Sequence, residues 1–360
     1  MVINELFHLT LMTVAVFITP FLAKHYVPAR QSGIDANKTA STHGRVVAVD
    51  LLRAVAIWAI VIIHVVLFYR EVGGDLPLWF LDAFQTSMRF AVPVFFILSG
   101  LMLRPFAATR TSVIQFYKRR FLAVFVPYMV VHAVLAVIEQ VTMTEFLYWL
   151  VSGSASPPMY FVVVLMQLYL LYPFIIQLAT RRWFVYTTFA VAFAALVVPG
   201  MQTVFGIPLV LKFLFFFVWG IYMRAILFPH PNVGVVYYWL AIFILFWVLY
   251  AFYPASFYNV RPFYGLAVFM ILFLVFHRRQ FSEVISTVFA RIGENSLWIF
   301  LTHFFVLQAI IPPLYANLAV HQSFVFATIL IASLLASTVV AFVAKSLYKL
   351  PSRILKRRHS

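Results

Sequence analysis

Residues 49–68 read "VDLLRAVAIWAIVIIHVVLF" and indicate the class of fold. A helix of about 20 apolar residues spans the hydrocarbon core of a bilayer, and this stretch is long enough to do so. It nevertheless carries Asp50 and Arg53 near its start and His64 near its end. Ionisable side chains inside a membrane are costly unless they have partners, and they commonly mark functional sites. The stretch therefore predicts a membrane-spanning helix that does more than anchor the chain.

The composition extends this interpretation to the whole chain. Of its 360 residues, 64% are hydrophobic and only 10% are charged, whereas soluble domains are about 45–50% apolar and about 25% charged. The formal net charge of +16 would suggest a nucleic-acid partner in a soluble protein. Here the basic residues stand in short segments beside apolar runs, where they orient the helices and contact anionic lipid. We therefore expect an integral membrane protein that binds no nucleic acid.

Apolar runs that could span a membrane recur along the chain. They lie at residues 6–23, 46–69, 84–104, 119–141, 159–179, 183–199, 207–228, 235–253, 262–277, 296–316 and 322–345. The pattern predicts an all-α polytopic membrane protein, a bundle of about ten helices plus one extra N-terminal helix.

The predicted domain organisation follows from these runs. Residues 1–45 hold the first helix and a polar linker, residues 46–347 form the main membrane domain, and residues 348–360 form a basic tail. The first run lacks a positively charged segment before it and carries Glu5 there, so we interpret it as an uncleaved helix rather than a signal peptide. Lys and Arg concentrate in alternate loops, which places the C-terminus in the cytoplasm and the N-terminus outside.

Arg53 and His64 are the first candidates for chemistry. Eleven residues separate them, which is roughly 16 Å along a helix and close to three turns, so both lie on one face. In the purely structural alternative, Arg53 reaches the inner lipid headgroups and His64 hydrogen-bonds a neighbouring carbonyl group. The pair on one face favours a functional role.

Two further stretches carry candidate residues. "SMRFAVPVFFILSGLML", residues 87–103, contains Arg89 and a Ser99-Gly100 pair that predicts close helix packing. "QFYKRRFLAVFVPY", residues 115–128, contains Lys118, Arg119 and Arg120. These three cations anchor the topology or, alternatively, bind a phosphate-bearing ligand.

The late stretch "IGENSLWIFLTHFFV", residues 292–306, adds a second intramembrane imidazole, His303, after an expected helix N-cap at Asn295. We expect His132 to be a packed, hydrogen-bonded core residue. Glu139 is either a support for an acceptor or a plain interfacial carboxylate. The histidines lack the close spacing of zinc or iron ligands, so no metal site is expected.

Taken in order, these stretches resemble the membrane acyltransferase-3 family over roughly residues 45–345. The resemblance rests on "VDLLRAVAI" running to a histidine at the helix end, "VPVFFILSGLML", "FYKRRFLAVFVPY", "LYLLYP", "FFFVWGIYM" and "GENSLWIFLTH". Members of this family move acyl groups, commonly acetyl, onto cell-surface sugars and some small molecules.

The resemblance implies an O-acyltransferase of the bacterial cytoplasmic membrane, with acyl-CoA as the donor substrate and a glycan or lipid-linked saccharide as the acceptor. It implies a catalytic role for His64 and places Arg53 in the donor site. The family often has a second arginine where this chain has Ala123, so Arg119 or Lys118 would act with Arg120 on the donor phosphates. The candidates for supporting or acceptor-side roles are Asp50, Arg89, Ser99, Glu139, Asn295 and His303.

The residue inventory agrees with direct transfer. Acylation of a hydroxyl needs a base near neutral pH, and histidine has an unperturbed pKa of about 6.5. The chain has no cysteine and no GxSxG motif, so a covalent acyl-enzyme lacks an obvious nucleophile.

A permease or flippase for glycans or lipid-linked sugars is the alternative from another class. Arg53, His64, Arg89 and Lys212 would then line a polar path through the membrane. The chain has no paired halves with matching broken helices and no nucleotide-binding motif, which favours the enzyme.

Overall fold

The computed structural model describes residues 47–357, apart from 107–108, 199, 227–233, 253, 279–280 and 319–320. The first predicted span, at residues 6–23, and the end of the basic tail lie outside the described residues.

The described part of the chain is predominantly helical. The helices are α1 Val47–Glu71, α2 Leu78–Met88, α3 Ala91–Leu101, α4 Arg110–Arg120, α5 Val126–Ile138, α6 Met143–Ser152, α7 Tyr160–Ile175, α8 Arg182–Val197, α9 Leu211–Ile226, α10 Gly234–Phe252, α11 Pro254–Arg278, α12 Glu283–Glu294, α13 Ser296–Asn317 and α14 Gln322–Arg357. A π-helical segment, Phe121–Phe125, joins α4 to α5, and 3-10 turns occur at Pro157–Met159 and Leu178–Thr180. Strands β1 Thr203–Val204 and β2 Ile207–Pro208 form a short antiparallel hairpin.

Within the described residues, 6 helical stretches are long and apolar enough to cross a membrane. They are Val47–Glu71, Leu78–Leu101, Arg110–Ile138, Pro157–Ile175, Ser296–Asn317 and Gln322–Lys349. Large apolar side chains such as Val137 and Phe174 are exposed on these stretches. Exposed apolar faces of this kind suit contact with lipid. The all-α, multi-pass character predicted from the sequence is confirmed.

Every predicted span from residue 46 onward overlaps a helix, but the boundaries differ. The span expected at 84–104 begins earlier, at Leu78, and is broken at Arg89 and Phe90. Pro93 explains the break, because proline lacks the N–H that would bond the carbonyl of residue 89 in a continuous helix. The short helices α6 and α12 were not expected as separate elements. A capping box between Thr142 and Glu145 starts α6.

Helix α1, which contains the opening stretch, lies at the centre of the bundle. It packs against α3, α11, α12, α13 and α14, and it is the most buried of the six candidate spans. Leu52, Ala54, Ala56, Ile57 and Val61 on this helix are fully buried. Asp50, near the start of this helix, is also buried.

The predicted close packing at Ser99-Gly100 is confirmed. A Cβ atom on Gly100 would clash with the carbonyl oxygen of Phe217 in α9, and one on Gly220 would clash with that of Ile97 in α3. The hydroxyl of Ser99 donates to the carbonyl oxygen of Phe95, at 2.7 Å within its own helix. Gly100 and Gly220 thus permit the close approach of α3 and α9.

We expect Gly100→Ala to destabilise the protein by about 1–3 kcal/mol, because the two helix backbones must separate to admit the methyl group. At a helix position without close neighbours, replacing glycine by alanine stabilises by about 0.8–1 kcal/mol. The direction of the change in stability therefore distinguishes close packing from an open position. Thermal unfolding in detergent measures it, with Ser99→Ala as the matched neighbouring control. An unchanged or raised midpoint for Gly100→Ala would contradict the close packing.

The orientation in the membrane stays a prediction. Residues 105–118, 180–182, 229–233 and 350–360 are expected to face the cytoplasm, since Lys and Arg concentrate beside them. Because the chain has no cysteine, single cysteines in these segments give a clean test. They should resist a membrane-impermeant thiol reagent on intact cells, whereas Asp75→Cys in the α1–α2 loop should react. The opposite pattern would reverse the topology.

Candidate active site

His64 lines a cavity of about 200 Å³ inside the bundle. Three cationic side chains, Arg89, Lys212 and Arg261, line the same cavity, together with the phenol of Tyr160. Apolar walls are contributed by Ile60, Val92, Phe161, Phe213 and Phe300, among others. His64 and the three cations are each partly exposed.

Breaks and ends of helices bring these residues together around α1. Arg89 stands at the break between α2 and α3, and Lys212 in the first turn of α9. Tyr160 begins α7, and Arg261 precedes Pro262 within α11. The short β1–β2 hairpin precedes α9, and Lys212 donates to the side-chain oxygen of Gln202 beside this hairpin at 3.2 Å.

The imidazole of His64 is held at one nitrogen. Its Nδ1 lies 2.9 Å from the carbonyl oxygen of Ile60, one turn earlier in α1, and 3.2 Å from Nε2 of His303. The two rings are 5.0 Å apart between centroids. His303, on α13, is fully buried.

The partners of His303 assign the protons of both rings. Its Nδ1 lies 2.7 Å from the carbonyl oxygen of Phe300, and a carbonyl group can only accept, so this nitrogen carries the hydrogen. In the neutral ring, Nε2 of His303 is then an acceptor. The Nδ1–H of His64 therefore donates to Ile60 and His303, and Nε2 of His64 is left as the nitrogen that can take a proton.

Arg89 is tied to the backbone beside His64. Its guanidinium donates to the side-chain oxygen of Gln85 at 3.1 Å, and the Gln85 amide donates to the carbonyl oxygen of Ile63 at 3.0 Å. This chain of bonds fixes a positive charge next to the candidate base.

Asp50 and Arg53 lie at the other end of α1, against α12. A Cβ on Gly293 would meet the backbone oxygen of Asp50 and the Cβ of Arg53, so glycine permits this close approach. Asp50 is buried and Arg53 is partly buried. Neither residue is among those described as lining the His64 cavity.

Asn295 occupies the predicted N-cap position of α13, but its side chain does not cap that helix. Its side-chain amide donates to the carbonyl oxygen of Arg291 at 2.6 Å, and no side-chain bond caps the start of α13. The side-chain amide and the backbone N–H of Asn295 thus both bond the carbonyl oxygen of Arg291 and close the last turn of α12.

The cationic trio lies at the end of α4. Lys118 and Arg119 are exposed, and Arg120 is partly buried. The guanidinium of Arg120 stands 5.2 Å from the ring centre of Tyr169 on α7 and 5.6 Å from that of Phe116. Arg120 therefore faces the bundle, while its two neighbours remain accessible.

The remaining candidates lie apart from the cavity. His132 is fully buried, with Nδ1 3.0 Å from the carbonyl oxygen of Tyr128, which confirms the predicted core histidine. Glu139 is exposed at the end of α5. Neither Glu139 nor Ser99 is among the described lining residues. In the described part of the chain, no three His, Cys, Asp or Glu side chains are grouped as metal ligands.

Two lining residues, Tyr160 and Arg261, were not singled out as site candidates from the sequence, and Lys212 was named only for the permease. One signal could have found Arg261. It is one of few basic residues in the segments predicted to face outward, next to Pro262 and an apolar run. A cation in such a position is a functional candidate by the same reasoning that selected Arg53.

The fold and cavity define a multi-pass membrane protein with a hydrogen-bonded histidine pair beside a cation-lined cavity. The chain belongs to the acyltransferase-3 family, since the family model described as an acyltransferase domain matches residues 46–345. It is therefore a membrane acyltransferase. Neither the comparison with curated proteins nor that with solved structures gave a match.

Proposed function

We propose that the protein transfers a short acyl group, acetyl in the simplest case, from acyl-CoA to a hydroxyl of a cell-envelope or exopolysaccharide sugar at the bacterial cytoplasmic membrane. The observation that supports this most is the histidine pair at the cavity. His303 and the Ile60 carbonyl hold Nδ1 of His64, so the other ring nitrogen can serve as a base.

The proposed reaction is a direct transfer. The acceptor oxygen attacks the thioester carbonyl carbon while Nε2 of His64 takes the hydroxyl proton. The tetrahedral intermediate then collapses with cleavage of the C–S bond, and His64 returns the proton to the departing sulfur of CoA. The fixed charge of Arg89 is suited to stabilise the oxyanion of this intermediate.

The donor would enter from the opposite end of α1. Exposed Lys118 and Arg119, together with Arg120, offer cations to the phosphates of CoA, and arginine binds phosphate through directional charge-assisted bonds. The pantetheine arm would then run inward past Arg53 toward His64. The separation of Arg53 from His64 along α1 is consistent with this path.

We expect Arg53→Ala and the double change Arg119→Ala with Arg120→Ala to raise the apparent KM for acyl-CoA by about 10–100-fold, since each removes charge-assisted bonds. Steady-state kinetics and the protection of the fold by CoA against heat measure the effect. Arg110→Ala is the matched control, because it removes an exposed cation from the first turn of the same helix. Equal protection of wild type and all variants by CoA would place the donor site elsewhere.

Acyl transfer itself is tested with the purified protein. Labelled acetyl-CoA, with and without a polysaccharide acceptor, should give acceptor-dependent release of CoA and a labelled glycan. Absence of transfer to any acceptor, in a preparation that binds CoA, would remove the proposal.

A permease for saccharides is the second candidate function. Three of the residues expected on its polar path, His64, Arg89 and Lys212, do share one cavity. Membership of an acyltransferase family favours the enzyme. Uptake of a glycan into proteoliposomes without acyl-CoA, and independent of His64, would favour the permease.

A further inference from the structure

The described lining of the His64 cavity is cationic. Arg89, Lys212 and Arg261 contribute three positive groups, and the described lining residues include no Asp or Glu. Lys212 on α9 and Arg261 on α11 come from different helices and line the same cavity as Tyr160. Cations that line one cavity raise the local concentration of anions and favour an anionic ligand.

The transfer reaction alone does not account for three cations. A single fixed charge, that of Arg89, suffices for the oxyanion of the intermediate. The phosphates of CoA lie at the far end of the pantetheine arm from the thioester, so a donor that presents its thioester to His64 keeps them away from this cavity. The transfer step assigns no role to Lys212 and Arg261, and two cations that line one cavity suit an anionic ligand.

Resting on the proposed function, we propose that the acceptor is an anionic saccharide, whose carboxylate or phosphate binds Lys212 and Arg261 while a neighbouring hydroxyl faces His64. The reaction is still the direct transfer from the thioester to a hydroxyl assisted by His64, and the anionic group of the acceptor neither forms nor breaks a bond.

The placement of the two residues fits this role. Lys212 is oriented by its bond to Gln202 and by the ring of Phe213, whose centre is 5.0 Å from its ammonium nitrogen. Arg261 enters from a different helix, α11, so an anion between them would be bound from two sides. A cavity of about 200 Å³ is smaller than the roughly 300–1,000 Å³ that encloses a drug-sized ligand, which suits one sugar unit of a longer chain.

The kinetic test uses three matched acceptors: methyl glucuronoside, methyl glucoside 6-phosphate and neutral methyl glucoside. We expect kcat/KM to favour an anionic acceptor over the neutral one by about 10–100-fold, and the better of the two anions identifies the group. Lys212→Met and Arg261→Met should each reduce that ratio toward one, and Lys212→Arg should restore it. Arg70→Gln is the control, because Arg70 is a half-buried cation on α1 that pairs with Asp82. Equal use of all three acceptors, or loss of the preference in Arg70→Gln alone, would overturn the proposal.

A binding test separates this proposal from the transfer reaction. Val92 lines the cavity, so Val92→Cys, in a chain without other cysteines, reports occupancy through its rate of labelling by a neutral maleimide. An anionic glycoside should slow labelling, and methyl glucoside should not. Protection by inorganic phosphate equal to that by the sugar phosphate, or equal protection by the neutral sugar, would overturn the proposal. If the protein transfers no acyl group but the anionic glycoside still slows labelling of Val92→Cys, the proposed function is wrong and the anionic site stands.

Discussion

His64→Ala is expected to lower the turnover of acyl transfer by about 10²–10⁴-fold, the usual contribution of general-base assistance. The reason is geometric. His64 lines the cavity, and its Nδ1 is already engaged by Ile60 and His303, which leaves Nε2 to take the hydroxyl proton. Binding of CoA should change little, because the residue lies at the thioester end of the donor and not near its phosphates.

The measurement pairs single-turnover transfer from labelled acetyl-CoA with thermal unfolding in detergent. His64→Gln is the matched variant, since it keeps a polar side chain in the cavity but supplies no base, and it should be as impaired as His64→Ala. His132→Gln is the control for loss of a buried imidazole remote from the cavity. Wild-type transfer by well-folded His64→Ala, together with an inactive His303→Ala, would assign the base to His303 instead.

The hydropathy of the sequence predicted a helix at each apolar run from residue 46 onward, because the cost of burying polar backbone in lipid permits little else. Boundaries were predicted less well where proline acts. Pro93 breaks the second span, and α11 begins at Pro254, before the predicted start at residue 262. Both features depend on which backbone groups find partners, and a hydropathy window does not register this.

The candidate site was predicted in part. The spacing of Arg53 and His64 on one helix predicted His64 as a site residue. The position of His303, two turns into its own helix, predicted a second imidazole inside the membrane. The contact between them could not be derived, because it depends on how α13 packs against α1. The assembly of Arg89, Lys212 and Arg261 around His64 has the same cause, since the three cations come from different helices and loops whose approach is set by packing between α3 and α9 and around α1.

The cavity also bears on the choice between enzyme and permease. A polar path across the bundle would have to join His64 to Arg53 at the other end of α1, yet Arg53 is not among the described residues that line the His64 cavity. Arg89, Lys212 and Arg261 line the cavity at His64 and do not follow α1 toward Arg53. This arrangement suits chemistry at one point better than the passage of a sugar along the helix.

His303→Leu is expected to lower kcat while the KM for acceptor and the affinity for CoA change little. His303 is a positioning residue, because its Nε2 accepts from Nδ1–H of His64 and so fixes the tautomer and orientation of the base. In the Ser-His-Asp template, loss of the orienting aspartate gives a wrong tautomer and costs about 10⁴-fold in kcat. His303 is a neutral imidazole in the place of that aspartate, so it adds no charge to stabilise the protonated His64. We therefore expect a smaller loss, of about 10–100-fold.

His303→Gln distinguishes this role from simple packing. The side-chain oxygen of glutamine can stand near the position of Nε2 and accept the same hydrogen bond, so His303→Gln should recover most of the lost kcat, although the volume of the side chain differs from that of histidine. His303→Leu should also alter the pH profile of kcat, because the base loses an acceptor that stabilises its protonated form. A merely structural role would instead lower the thermal midpoint and activity of both variants together, and leave the pH profile unchanged. The Ile60 carbonyl remains as a second acceptor for the Nδ1–H of His64 in every variant. Activity should therefore be reduced rather than abolished. Complete loss of activity in His303→Gln would show that His303 does more than position His64.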